Sequence, residues 1–285
     1  MSERIDAHHH LWRYSKGEYP WINESMRPLA RDFLLADLER EAEACSVKGT
    51  IAVQVRQSPE ETEWLLELAE RSTLIRGVVG WAPLASPELP ALLDDWRAKS
   101  KLKALRHIVQ DEADDQFLLR REFNCGIARL RDYSLVYDIL IYERHLPTGI
   151  AFVDRHPKQI FVLDHIAKPR IKERVLEPWR THVRELARRE NVYCKISGMV
   201  TEADWDSCTG EDLRPYFDVA LEAFGPKRLM AGSDWPVCLL AASYARWYSM
   251  LREFVRTLTA SEQDLILGGV ASKVYSLASP QTYPK

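Results

Sequence analysis

Short β-branched or apolar runs alternate along the chain with longer segments whose apolar residues recur every three or four positions. Eight runs are legible: RIDAHHHLW from residue 4, GTIAVQVRQ from 49, IRGVVGWAPL from 75, LKALRHIVQ from 102, LVYDILIYERH from 135, IFVLDHIAKP from 160, NVYCKISGMV from 191 and RLMAGSDWPV from 228. Each is closed by polar residues, the pattern of strands buried on both faces. The segments between them, such as 34–45, 58–72, 177–190 and 213–225, carry the spacing of amphipathic helices. Local punctuation agrees. Ser58 precedes Glu61 by three residues, which predicts a capping box, and Gly225-Pro226 predicts a helix stop.

Eight strand and helix alternations in 285 residues match one (β/α)8 barrel, an α/β fold whose strands run parallel because each crossover is helical. An open doubly wound sheet fits less well, because the first run ends in histidines and no GxGxxG follows it. Nothing resembling a linker, repeat or low-complexity segment divides the chain, so residues 1–285 are expected to form a single barrel domain. The connection from Trp12 to Leu34 is long for its place and holds Trp12, Tyr14, Tyr19 and Trp21. Loops of that length tend to be functional.

Composition narrows the picture. With 46% hydrophobic residues the chain can bury a sizeable core, and a formal charge of -3 spread along it gives no basic surface for nucleic acid. No stretch approaches the roughly 18 uninterrupted apolar residues of a membrane span, and no secretory leader pattern opens the sequence. The five cysteines are scattered, odd in number and never spaced as CxxC, which argues against a disulfide framework and a thiolate zinc site. A cytoplasmic protein is expected. Its oligomeric state is not legible.

In a barrel of this kind chemistry sits where the strands end, and these ends are unusually polar. The first closes with His8-His9-His10. The second carries Gln54, the fourth Arg106-His107, and the fifth Tyr142 with His145 just beyond. Asp164-His165 and then Lys168 end the sixth, Lys195 lies in the seventh, and Ser233-Asp234-Trp235 close the eighth. Side chains alternate across a strand, so His8 and His10 share one face and His9 takes the other. Two imidazoles at that spacing can hold a divalent cation or polarise a carbonyl, with His165 and Asp234 converging from two other strands. Lys195 reads as an ordinary strand residue whose ammonium reaches solvent. Cys194 and Cys238 read as small apolar fillers.

The constellation DAHHH, VLDHIAKP and AGSDWP, with the loop YPWI and the segment LKALRHIVQDE, resembles the amidohydrolase superfamily, and more closely its sugar-lactonase branch, the L-fuconolactonase and L-rhamnonolactonase group. The resemblance runs over almost the whole chain. It implies an amidohydrolase-type barrel that hydrolyses a small sugar lactone to the open-chain aldonic acid, with His8, His10, His165 and Asp234 as its active-site residues. It also makes Gln54, Arg106, His107, Tyr142, Lys168, Trp21 and Trp235 the candidates that face substrate. Binuclear members supply a bridging carbamylated lysine from strand four and often a histidine from strand five. This chain has Arg106-His107 and Tyr142 there, so two bridged metals are not expected. His8, His10, His165 and Asp234 would hold at most one divalent ion, zinc by preference, which is dispensable in some lactonases. On this reading Asp234 is the general base, the imidazoles or the ion polarise the carbonyl, and Trp12, Trp21 or Trp235 covers the sugar ring. A metal-dependent decarboxylase, or a lactonase of a carboxylated substrate, is the rival on the same scaffold. It would favour several arginines at the mouth, where only Arg106 is a clear candidate and Arg56 a second.

Overall fold

All eight expected runs form strands in the computed structural model, which describes residues 3–278. They are β1 (Ile5–His9), β2 (Gly49–Val53), β3 (Ile75–Gly80), β4 (Leu102–Ile108), β5 (Val136–Leu140), β6 (Phe161–Leu163), β7 (Val192–Ile196) and β8 (Leu229–Ala231). They pair in chain order, every ladder parallel. Between and after them lie α1 (Leu35–Ala44), α2 (Pro59–Glu70), α3 (Leu89–Trp96), α4 (Arg121–Leu130), α5 (Leu146–Arg155), α6 (Trp179–Ala187), α7 (Gly210–Phe224) and α8 (Tyr244–Val255). The sheet closes through a single parallel bridge between His9 and Trp235. His10 N donates to the Trp235 carbonyl (2.6 Å) and Asp234 N to the His8 carbonyl (2.8 Å). Closure therefore happens at the strand ends that carry the histidines and Asp234.

The helix ends follow their sequence signals with one exception. Gly225 ends α7 at φ +65°, its N–H donating to the Leu221 carbonyl. Ser58 accepts from Glu61 N at the start of α2, but the reciprocal half of the expected capping box is absent. Glu61 instead accepts from Val55 N (2.9 Å) and Arg56 N (2.7 Å), bracing the loop that leaves β2. Burial of this carboxyl raises its pKa to about 7 against those two donors.

Inside the barrel the side chains form layers. Ile5, Ala7, Ile51, Val53, Val79, Ala104, Val136, Val162 and Met230 pack as one apolar cluster with Val270, Ala271 and Tyr275 from the C-terminal segment, which includes α9 (Ala260–Asp264) and α10 (Val270–Val274). Strict alternation from Ile5 and Ala7 would next turn His9 inward. A bulge prevents this: Asp6 pairs with Thr50 but His9 with Ala52, so three steps on β1 match two on β2. His8 and His10 thereby face the interior, while His9 bonds outward to Thr50 Oγ1 (3.0 Å). Asp6 holds this register against β8. It accepts from His8 N (3.1 Å), Ser233 N (2.8 Å), Ser233 Oγ (2.6 Å) and Tyr244 Oη on α8 (3.0 Å). No helix among the described residues is long and apolar enough to cross a membrane.

Candidate active site

Four side chains meet at the strand ends. His8 Nε2 lies 3.2 Å from His10 Nε2, and Asp234 Oδ1 lies 3.3 Å from His10 Nε2, 3.7 Å from His8 Nε2 and 3.8 Å from His165 Nε2. All four are buried. Second partners fix the rings. His10 Nδ1 donates to the Val53 carbonyl (2.8 Å), since a carbonyl only accepts, and His165 Nδ1 pairs with Ser197 Oγ (2.9 Å).

The backbone is bent to aim these groups. His165, Ile166, Ala167 and Lys168 all have positive φ, and so does Asp234 at +57°. Left-handed conformations cost about 1–2 kcal/mol per ordinary residue, so the surrounding packing must enforce the turn. Trp179 Nε1 helps by donating to the Ile166 carbonyl (2.7 Å). Two glycines leave the room. A Cβ on Gly232 would lie 2.8 Å from His8 Cβ, and one on Gly198, at φ +62°, would lie 2.5 Å from His165 Nδ1.

Beneath the cluster lies a charged layer that the sequence reading missed. Lys195 Nζ is fully buried, in a short contact with Asp138 and 3.0 Å from Asp164 Oδ1. Arg106 Nη1 donates to Asp164 Oδ2 (3.0 Å), and Tyr275 Oη donates to Asp138 (2.8 Å). Two cations and two anions thus neutralise one another. The expected solvent-reaching lysine is corrected: β7 turns Lys195 into the barrel, where only paired charges survive. The signal was available, because an Asp in VYDIL and a Lys in VYCKI interrupt apolar runs at inward positions.

Electrostatics set the protonation states. Burial raises the Asp234 carboxyl, but the facing His165, His10 and His8 rings outweigh it and hold it below the ordinary carboxylate value. Burial lowers His165 to about 4 despite the Asp234 and Asp164 carboxylates. It also lowers His8 well below its ordinary value, Lys195 adding to burial against Asp164. At neutral pH an ionised Asp234 carboxylate therefore faces neutral His8 and His165 rings.

A cleft of 310 Å³ opens onto this cluster, lined by His10, His165 and Asp234 at its floor. Of the candidate substrate contacts, Trp21, Arg106, Tyr142 and Lys168 line it. The other three do not. Gln54 is wholly buried and acts on Arg106, accepting from Nη2 and donating Nε2 to the Arg106 carbonyl (3.2 Å). His107 faces outward, as its place beside inward Arg106 requires, between Phe117 (4.6 Å), Trp81 and Glu112. Trp235 is buried edge-on against Phe33 (5.3 Å). Trp12 is likewise buried, in the long loop with Tyr19 and Phe33, which leaves Trp21 as the aromatic of that loop facing the cleft. His145 locks its own loop to Asp115 (2.9 Å) and Tyr142 N (3.2 Å). Thr201, Glu202 and Trp205 also line the cleft and were not foreseen, since they lie on a loop beyond β7. Glu202 stands 3.9 Å from Lys168 Nζ, and burial raises its carboxyl while Lys168 opposes.

The amidohydrolase family model matches residues 5–277. An L-fucono-1,5-lactonase of Burkholderia multivorans is 45% identical, covering 97% of this chain and 97% of that protein. An L-fucono-1,5-lactonase of Burkholderia ambifaria is 34% identical, covering 98% of each. A solved amidohydrolase of Burkholderia multivorans with bound Zn superimposes with a TM-score of 0.95 at 44% identity, over 97% of this chain and 100% of that one.

Proposed function

Because the chain belongs to the amidohydrolase family, we propose that it hydrolyses a six-carbon sugar lactone of the L-fucono or L-rhamnono kind to the open-chain aldonic acid. The observation that carries this reading is the convergence of His8, His10 and His165 on the ionised Asp234 carboxylate at the floor of a cleft large enough for one sugar ring. An ionised acid accepts a proton. Neutral imidazoles can orient and polarise without supplying a competing charge.

The donor set also fits one divalent cation. His10 presents a bare Nε2 toward a carboxylate and toward His8 Nε2, so lone pairs face one another with too few protons between them. His8, His10 and Asp234 bring ligand atoms within 4.8 Å of one another. Three nitrogen and oxygen side chains with an open position suit catalytic zinc. Zinc held by His8, His10 and Asp234, with His165 beside them as a further donor, would supply a Lewis acid and lower the pKa of a water.

The residues of the chain do the rest. Asp234 takes the proton of the attacking water and returns it to the ring oxygen as the carbon–oxygen bond breaks, which leaves a hydroxyl and a carboxylic acid that then loses its proton to solvent. Ser197 and Gly198 hold His165 in place for that transfer. Trp21 offers an apolar face to the ring, while Tyr142, Lys168 and Glu202 offer polar groups to its hydroxyls. Lys168→Met is expected to raise KM about tenfold, the worth of one charge-assisted hydrogen bond, with kcat little changed in steady-state kinetics. Gly198→Ala should do the reverse. Its methyl displaces the His165 ring, so kcat falls about 100-fold, as an ångström-scale misplacement does, and KM moves less.

A panel of aldonolactones followed by acid release, with and without chelator, tests the reaction class and the need for metal together. Saturable acceleration on one or more six-carbon lactones supports the reading. No acceleration on any, with zinc restored, overturns it.

A further inference from the structure

We propose that the active-site cleft has a second subsite, an outer chamber that takes one further neutral sugar unit joined by a glycosidic bond to the lactone ring. The inference deepens the reading of the chain as a sugar lactonase and rests on it. The reaction is unchanged: the ring ester is hydrolysed and the glycosidic bond stays intact.

The cleft does not end at Lys168 and Glu202. A second cavity, of 710 Å³, lies beside it, and Tyr142, Lys168, Thr201, Glu202 and Trp205 line both spaces. Clefts that hold small molecules run from about 300 to 1,000 Å³. The inner space of 310 Å³ is at the lower end of that range, and the outer one lies well within it. One ring fills the first, and the second has room for another. Its walls are set in advance. Lys172 N donates to the Glu202 carbonyl (2.9 Å), which ties the loop after β6 to the loop after β7. Thr201 Oγ1 donates to the Gly198 carbonyl (2.7 Å) and Trp205 Nε1 to the Thr201 carbonyl (2.9 Å), fixing the half-buried indole where the two spaces meet.

The charges identify the class of occupant. Four cations line the chamber, and each has an acidic partner: Lys168 with Glu202 (3.9 Å), Arg170 with Glu143 (2.7 Å), Lys172 with Asp204 (3.3 Å) and Arg144 with Asp115 (3.3 Å). Glu173 and Asp206 add further negative charge. A phosphate or carboxylate would therefore face a surplus of acids. Hydroxyl groups donate and accept at once, which suits a lining of paired charges, and an indole face suits the apolar face of a sugar. The fitting occupant is a neutral sugar carried on the ring hydroxyl that points toward Lys168 and Glu202.

Calorimetric titration with L-fucose and with the three disaccharides that carry a β-D-galactosyl unit on its O2, O3 or O4 tests this without turnover. One disaccharide should bind about tenfold tighter than L-fucose, the worth of one hydrogen bond to a charged group. In Trp205→Ala the ratio of the two affinities should fall toward one. Lys172→Ala combined with Glu173→Ala changes two exposed residues that line the outer chamber alone, so it should lower the ratio while L-fucose binds as before. Equal affinity for L-fucose and all three disaccharides overturns the inference, and so does a tenfold gain that survives in both variants. The L-fucono-1,5-lactone bearing the preferred galactosyl unit should then be hydrolysed with kcat/KM about tenfold above the parent lactone. A disaccharide gain without hydrolysis of either lactone would overturn the functional reading alone.

Discussion

Lys195→Met is expected to cost about 3–5 kcal/mol of folding stability, the cost of breaking one side of a buried ion pair. The lysine is fully buried between Asp138 and Asp164. After the change Asp164 still has Arg106, but Asp138 keeps only Tyr275. Burial already raises Asp138 to about 6 even against the lysine, so without it the carboxyl would take up a proton or unfold its surroundings. Adding Asp138→Asn to Lys195→Met removes the orphaned charge and should recover more than half of the loss. Urea unfolding of the two variants and wild type decides it. A Lys195→Met protein within about 1 kcal/mol of wild type, the level of a surface pair, would mean that the interior layer is solvated.

Asp234→Asn is expected to lower kcat by about 10³-fold, within the range for loss of a positioned general base, and to leave KM within a few fold. The amide keeps the shape and its contacts with β1 but cannot take a proton from water. Asp234 N still bridges to the His8 carbonyl, so the barrel should close as before. Zinc affinity should fall as well, because Asp234 Oδ1 is one of the facing donor atoms. Assays of the variant at saturating zinc separate the two effects. A rate that recovers with zinc would assign Asp234 to metal holding alone.

The strands were legible because each is an apolar run with a polar end, and the cluster was legible because His8, His10, His165 and Asp234 all stand at such ends. What periodicity could not give is the face each side chain takes. The bulge between Asp6 and His9 turns His8 and His10 inward, and no residue type announces it. On β4, the adjacent polar pair Arg106-His107 was read as two contacts, yet the pleat sends His107 out among Phe117 and Trp81. Trp235 and Gln54 were expected to face substrate on the strength of the resemblance and are packed beside the cleft instead. Glu202 and Trp205 come from a loop beyond β7 that meets Lys168 at the end of the left-handed turn at 165–168, a feature local sequence rules disfavour. Lys195 and Asp138 were visible as charges in apolar strands, but their pairing needed the barrel to bring β5 and β7 together through β6.

The central claim is that Asp234, ionised among the three histidines, activates water for attack on a lactone carbonyl. The initial rate of acid release from L-fucono-1,5-lactone, compared between zinc-loaded wild type and zinc-loaded Asp234→Asn at equal concentration, tests it most directly. The account predicts rapid, saturable release by wild type and a rate about 10³-fold lower in the variant. Equal rates in the two proteins would contradict it.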